Sequence, residues 1–407
     1  MKVGIYLVIT SYFPTPEEPW RCSFTYDQVR AIQRATDKYD VVVLRPDRAG
    51  EYEFRGIRVI GFKSHTSGGW ICPWLMNRGN VRKLFNTLSS SGIAVGDIAV
   101  VHGHLVTLAV YVNALKSRNP EIRGILQFHD ADPYGMLFGS GWLGWLKKMS
   151  YFRYHRALVE KMDLLIAISK NVAKVIVEAP HQTVFSEYEP MRRAMRILRR
   201  FRSAHVKSVY VLHNGVNRAI FSAGSRTTDK GRFTIGCVGV FRDCKDQITL
   251  LRAVSLLRGK IPGMTVRLVG VRHSGDMYAQ CVQFIRDESL PAAILSSMEH
   301  SELAMFYRSL DLFVLPSRFE GFGCVFLESY ACGTPFMTCE GQGIEDFVVP
   351  DERGLWLCKP HDPYDLASKI LDFYKSRPVQ HLAAETDIDV LIQQFLDEVG
   401  RIGSSRS

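Results

Sequence analysis

Cysteine in zinc or redox pairs is missing from this sequence. The nine cysteines, Cys22, Cys72, Cys237, Cys244, Cys281, Cys324, Cys332, Cys339 and Cys358, are odd in number and scattered. That arrangement argues against a zinc or dithiol motif and favours reduced thiols in a cytosol. A long apolar run is missing from the start as well: MKVGIYLVITSYFP is apolar for only about nine residues before Ser11 and Pro14. This is too short for a membrane span and has no small-residue cleavage site, so it reads as a first buried strand. There is no low-complexity tract and no nucleic-acid-binding motif.

What is present is a chain that folds by burial. At 407 residues it is too long for one ordinary core, and two domains are expected. Hydrophobic content of 46% and charged content of 23% are globular values. The net charge of +10 suits a polyanionic partner such as nucleic acid, a nucleotide phosphate or an anionic membrane face, and suits equally a basic enzyme with no such partner.

Short apolar runs alternate with amphipathic stretches: DVVVL from Asp40, DIAVVHG from Asp97, GILQFHD from Gly124 and DLLIAIS from Asp163. Buried runs separated by helical segments predict βαβ units and a parallel sheet. After VYVLHNGV from Val209 comes a polar stretch with linker composition, SAGSRTTDKGR from Ser222. The pattern then restarts with FTIGCVGV from Phe233, TVRLVG from Thr265, DLFVLP from Asp311 and PFMTCE from Pro335. The expected architecture is α/β, with two Rossmann-like doubly wound domains over 1–221 and 222–378. A helical tail over 379–407 is expected to return to the first domain, with Val390, Leu391, Phe395, Leu396 and Val399 on one face.

In such sheets ligands sit beyond the carboxyl ends of the strands. SRFEGFGCVFLESYACGTP, from Ser317 to Pro335, reads as the end of a strand, a glycine loop, and a helix closed by Gly333 with Pro335 beyond. Gly321 and Gly323 then lie at a helix N-terminus, where bare amides and the helix dipole favour an anion. Amides for a phosphate beside two acids, Glu320 and Glu328, describe a nucleotide-sugar pocket. As isolated acids the pair would instead be read as an exposed glutamate and a helix-surface partner.

The same stretch resembles the signature of the retaining glycosyltransferases of family 4, whose GT-B fold has two Rossmann-like domains around a cleft. The resemblance continues in PWRCSFTYDQVRAI from Pro19, FHDADP from Phe128, HNGVNRAIF from His213, HSELAMFYRSLDLFVLPS from His300 and GQGIEDFV from Gly341. It implies retaining, metal-independent transfer of a sugar from a nucleotide diphosphate donor, UDP or GDP in the first instance, to a glycan or lipid-linked acceptor. The expected setting is cell-surface polysaccharide or glycolipid synthesis, with no cofactor and no nucleic acid. A catalytically weakened nucleotide-sugar-binding scaffold, or an epimerase of the same fold, is the alternative.

Carried over by that resemblance, Glu320 contacts the donor sugar and Glu328 the ribose. The backbone from Gly321 and Phe322 through Gly323, Cys324 and Val325 lines the donor. Lys245, at the family's spacing from Gly239, neutralises the leaving diphosphate, and His129 is the active-site histidine. The family's arginine after the glycine is Val240 here, with Arg242 as its substitute in the same loop. In the first loop the family's glycine position holds Cys22, after Arg21. Asp132 is expected to shape the histidine loop, and His104, like His102, is as readily structural as acceptor-facing. DAD at Asp130 to Asp132 and DID at Asp387 to Asp389 are discounted as metal sites.

One stretch stands apart. MRRAMRILRRFR, 191–202, places apolar residues on one side of a helix and Arg192, Arg193, Arg196, Arg199 and Arg200 on the other. An ordinary surface helix fits, and so does peripheral attachment to an anionic cytoplasmic membrane, with Trp142 and Trp145 beside Lys147 and Lys148 as a second contact.

Overall fold

The computed structural model describes residues 4–19, 22–64, 73–129, 154–155, 157–177, 209–225, 231–273 and 275–404. They divide into two compact units. The first runs to Asn214 and resumes at Ile388, and the second is Gly215–Asp387.

The first unit is built on β1 (Gly4–Ile9), β2 (Tyr39–Arg45), β3 (Gly50–Phe54), β4 (Ile57–Gly61), β5 (Ile98–His104), β6 (Arg123–Phe128), β7 (Leu164–Ala167) and β8 (Tyr210–Val211). Their order across the sheet is β3-β4-β2-β1-β5-β6-β7-β8. Valine and isoleucine runs form the central strands because these are buried on both faces, where β-branched side chains pack best. Among the strand pairs of the described residues only β3 and β4 run antiparallel. They are joined at Arg55 and Gly56, both at positive φ (48° and 82°), the two-residue turn whose twist matches a hairpin. This hairpin edge was not anticipated from the sequence.

Helices α1 (Ser23–Ala35), α2 (Pro73–Ser90), α3 (Ala109–Arg118) and α4 (Lys170–Val177) supply crossovers of this sheet.

The second unit holds β9 (Phe233–Val238), β10 (Met264–Val269), β11 (Ala292–Leu295), β12 (Leu312–Leu315), β13 (Phe336–Cys339) and β14 (Leu357–Cys358), in the order β11-β10-β9-β12-β13-β14, all paired parallel. Its crossover helices are α5 (Gln247–Leu256), α6 (Met277–Asp287), α7 (His300–Arg308), α8 (Cys324–Ala331) and the single turn α9 (Arg353–Trp356), and α10 (Pro363–Ser376) follows the last strand. Successive strands lie to one side of β9 up to β11, then on the other side from β12 onward. The strand order therefore reverses between β9 and β12, and ligand crevices of such sheets open at that point.

The last helix, α11 (Ile388–Ser404), belongs to the first unit. Ile388, Leu391, Ile392, Phe395 and Val399 join one apolar core with Val29, Ile32, Val43 and Val100. Val390, expected on the buried face, is 42% exposed.

The units divide earlier than 221/222 and later than 378/379. Phe221 is buried against His300 and Tyr307, with ring centroids 5.4 and 6.1 Å away. The Gln380 side chain bonds both backbone groups of Phe336, at 2.9 and 3.0 Å, and the Val216 amide donates to the Thr386 carbonyl at 2.7 Å. These contacts tie both flanking stretches to the second unit. Among the described residues no helix is long and apolar enough to cross a membrane.

Candidate active site

Two loops leave the neighbouring strands β9 and β12 of the second unit on the same sheet edge, and they carry most of the residues singled out from the sequence. In the first, Gly239 follows Val238 with its amide donating to the Val269 carbonyl at 3.0 Å. A Cβ placed on Gly239 would find nothing nearer than Leu315 Cδ1 at 3.8 Å, so the protein's own packing does not demand glycine there. The Gln247 amide braces this loop by donating to the Val240 carbonyl at 2.9 Å. Arg242 and Asp243 are exposed, whereas Lys245 is turned inward.

The second loop places Glu320 against Lys245, and the two form an ion pair with side chains only 15% and 18% exposed. Burial alone would push the Lys245 ammonium down, but the charge and hydrogen bond of Glu320 outweigh it and hold the ammonium above its ordinary value. Ser317, fully buried, donates to Glu320 Oε2 at 3.4 Å, and the Gly343 amide donates to the Glu320 carbonyl at 3.2 Å.

Gly323 then starts α8 at φ 87°. A Cβ there would meet the Phe326 ring at 2.6 Å, so this glycine is fixed by both backbone and packing. Phe322 turns its ring into the core against Phe347, with centroids 5.6 Å apart, which leaves its backbone rather than its side chain for a ligand. Cys324 and Val325 are half-buried in the first turn of α8. Glu328, one turn further, accepts a hydrogen bond from the buried Tyr307 hydroxyl at 2.9 Å. A carboxylate oriented this way keeps capacity to accept a further hydroxyl.

In the first unit the carboxyl ends of β5 and β6 bring His102, His104 and His129 together. The His104 and His129 rings stack at 4.9 Å and 23°, with His129 Nε2 2.9 Å from His104 Nδ1. His102 lies 4.4 Å from His104 by centroid, and the Tyr6 hydroxyl meets its Nδ1 at 3.0 Å. Burial drives His129 down to about 4 and His102 to about 3. It drives His104 down as well, with both neighbours adding to the effect. Three neutral imidazoles result.

His104 is therefore part of the packed interior, between His102 and His129. The Phe24 ring also contacts His129, tilted at 51° with centroids 5.5 Å apart. His129 Nδ1 has no hydrogen-bond partner among the described residues.

Cys22 precedes α1 in the left-handed conformation, φ 56° and ψ 34°, and its side chain caps nothing. The cysteine thus holds a backbone geometry that glycine adopts without cost. Arg21, Asp132, the stretch 191–202 and the tryptophans at 142 and 145 lie outside the described residues. Of DID, Asp389 is bound by Arg34 at 2.6 Å. Among the described residues no three His, Cys, Asp or Glu side chains converge as a metal site.

Sequence reasoning missed Ser317, Tyr307, Asp246, Arg318 and His361. Asp246 could have been flagged by its place next to Lys245. Nothing in the sequence joins it to His361, 115 residues away.

Comparison with known proteins adds an independent line. The family model for glycosyl transferases group 1 matches residues 221–387, and that for glycosyltransferase family 4 matches residues 23–183. An uncharacterized glycosyltransferase of Methanocaldococcus jannaschii is 24% identical over 381 residues, spanning 93% of this chain and 92% of its own. The D-inositol 3-phosphate glycosyltransferase of Mycolicibacterium smegmatis is 29% identical over 263 residues, 59% of this chain and 58% of its own.

Among solved structures, Anabaena HepE in complex with UDP and glucose superposes with a TM-score of 0.66 at 15% identity, over 98% of this chain and 100% of that one. Sucrose-phosphate synthase from Thermosynechococcus elongatus gives 0.64 at 17% identity, over 99% and 97%.

Proposed function

Because this chain belongs to the GT-B glycosyltransferases of family 4, we propose that it transfers a sugar, with retention of configuration, from a nucleotide diphosphate sugar to a glycan or lipid-linked acceptor. The observation that carries this reading is the Lys245–Glu320 pair at the β9/β12 reversal, flanked by Gly239 and by the amides that begin α8.

In this reading the diphosphate lies along the Gly239 loop, where no Cβ blocks its approach. Lys245, with Arg242 from the same loop, supplies positive charge where negative charge grows as the glycosidic bond breaks. The amides at Phe322 and Gly323 add a helix N-terminus to the same task. Glu320, already engaged by Lys245 and Ser317, suits recognition of sugar hydroxyls. Glu328, aimed by Tyr307, takes the ribose. His129, a neutral imidazole at the carboxyl end of β6, is assigned to sugar recognition, and Asp132 and Arg21 are assigned to the first unit's loops by the sequence resemblance alone. UDP and GDP sugars are the donors to try first; HepE is described as binding UDP and glucose.

We assign the reaction to cell-surface polysaccharide or glycolipid synthesis on the cytoplasmic side. The basic stretch 191–202 and the tryptophans at 142 and 145 would provide a peripheral contact with anionic lipid.

The test is a panel of nucleotide sugars with release of nucleoside diphosphate as readout, run with and without a chelator, and with the anomeric configuration of the product read by proton NMR. Release unaffected by chelator and a retained anomer support the proposal. Tight donor binding with no release points to a scaffold, and no binding to any nucleotide sugar overturns the reading.

A further inference from the structure

Asp246, directly after Lys245, adopts φ 51° and ψ 40°, a left-handed conformation that side chains other than those of Asn and Asp resist. It stands at the N-cap of α5, where an aspartate ordinarily accepts the helix's free amides. Here its side chain accepts none of them. The carboxylate, 1% exposed, is used differently. Oδ2 accepts from Thr249 Oγ1 at 2.9 Å and from His361 Nδ1 at 2.9 Å, and lies 3.6 Å from Arg318 Nε. Oδ1 has no partner among the described residues.

His361 is itself at φ 59°. Two non-glycine residues in the left-handed region thus meet through their side chains. Arg318 grips the Lys245 loop a second time, donating from Nε and a terminal nitrogen to the Asp243 carbonyl at 3.1 and 2.5 Å. Its backbone amide donates to the Cys244 carbonyl at 2.8 Å.

One carboxylate therefore joins three segments: the loop ending in Lys245, the loop carrying Arg318 and Glu320, and the turn after β14 that carries His361. We propose that Asp246, held by His361 and Arg318, is a positioning residue that sets Lys245 against Glu320 for glycosyl transfer. This rests on the reading of Lys245 and Glu320 as transfer residues. The physical basis is that small displacements of groups acting on a transition state cost rate steeply, while binding of a diphosphate through flexible cations and amides tolerates them.

Glycine is the discriminating substitution, because it keeps the left-handed backbone and removes only the side chain. Asp246→Gly and His361→Gly are to be compared with Asp246→Asn, which retains an acceptor and a left-handed preference. The measurements are thermal midpoint, kcat and KM for nucleoside diphosphate release, calorimetric binding of UDP and GDP, and hydrogen exchange over 240–246 and 317–323.

Asp246→Gly is expected to keep its midpoint and nucleotide affinity, lose on the order of 10- to 100-fold in kcat, and exchange faster in both loops. Asp246→Asn should recover most of the loss. The Asp246→Gly/His361→Gly double variant should be no worse than Asp246→Gly alone, since both remove one linkage.

Wild-type kcat and exchange in Asp246→Gly would overturn the proposal, as would a kcat loss matched by an equal loss of nucleotide affinity, or fully additive effects in the double variant. If the wild type releases nucleoside diphosphate from no donor, the transfer reading fails by itself. Unchanged exchange in Asp246→Gly would then separately sink the linkage.

Discussion

Lys245 and Glu320 form an ion pair across 75 residues of sequence, one from the loop after β9 and the other from the loop after β12. A donor diphosphate approaching this site meets a cation that already has a carboxylate, so its own charge adds to a compensated pair rather than to a bare ammonium. What Lys245 gives must then be largest when the leaving group gains charge.

Lys245→Ala is accordingly expected to lower kcat by roughly 10²- to 10³-fold with a smaller change in UDP or GDP affinity. Glu320→Gln should abolish transfer as well while the protein stays folded, since glutamine keeps the acid's size and an acceptor for Ser317. Steady-state kinetics and calorimetry on both variants decide the point. Near-normal turnover in either would remove that residue from the proposed reaction.

Cys22 provides a stability test at the other unit. Its φ of 56° costs a side-chain residue about 1–2 kcal/mol, while a glycine there would lose more backbone entropy on folding, by about 0.4–1 kcal/mol. Cys22→Gly is expected to stabilise the protein by about 0.5–1 kcal/mol as the difference of these terms, read as a higher urea midpoint at unchanged slope. A lower midpoint would mean that the thiol contributes packing that outweighs the strain.

The doubly wound sheets were legible because their strands are continuous apolar runs, such as DVVVL and DLFVLP, set between helical stretches. The β3–β4 hairpin escaped notice because Arg55-Gly56 is not among the usual turn pairs, and because β3 is exposed along most of its length. At the candidate site, Glu320 and Gly323 could be picked out as candidates because a long local signature carries them, and Lys245 because of its spacing from Gly239. Asp246 with His361, and Glu328 with Tyr307, were illegible for the opposite reason. Asp246 and His361 meet because strand order brings two distant loops together, and Glu328 and Tyr307 because helices α7 and α8 pack side by side; neither leaves a spacing in the chain. The same holds for His104, whose neighbour His129 reaches it only because β5 and β6 are adjacent.

The histidine stack predicts a pH dependence with a definite sign. In the unfolded chain these imidazoles titrate near 6.5. In the fold burial holds His129 at about 4 and His102 at about 3, and His104 also well below its ordinary value. Between those limits the unfolded state binds protons that the folded state refuses, so stability is complete above pH 6.5 and is lost as pH falls from there toward 4. The urea midpoint should fall between pH 7.5 and 5.5, before most carboxylates titrate, and His129→Asn should flatten the slope by about one proton. A midpoint independent of pH across that range would show that the stack accepts protons within the fold.

The last helix offers the sharpest contrast between neighbouring positions. Phe395 is fully buried, with its ring 5.7 Å from His102 and 6.1 Å from Tyr210 by centroid, so the tail helix completes the core beneath the histidines. Removing the ring leaves a cavity that a sheet packed on both faces cannot close, and Phe395→Ala is expected to cost about 3–5 kcal/mol. Val390, on the same helix but 42% exposed, should change stability by no more than about 0.5 kcal/mol when replaced by alanine. Because Phe395 touches the stack, Phe395→Ala should also let water reach His102 and raise its proton affinity, which imidazole NMR titration would detect as a shift toward 6.5. Equal stability losses at Phe395 and Val390 would mean that the helix docks by a different face, and an unchanged His102 titration would mean that the cavity stays dry.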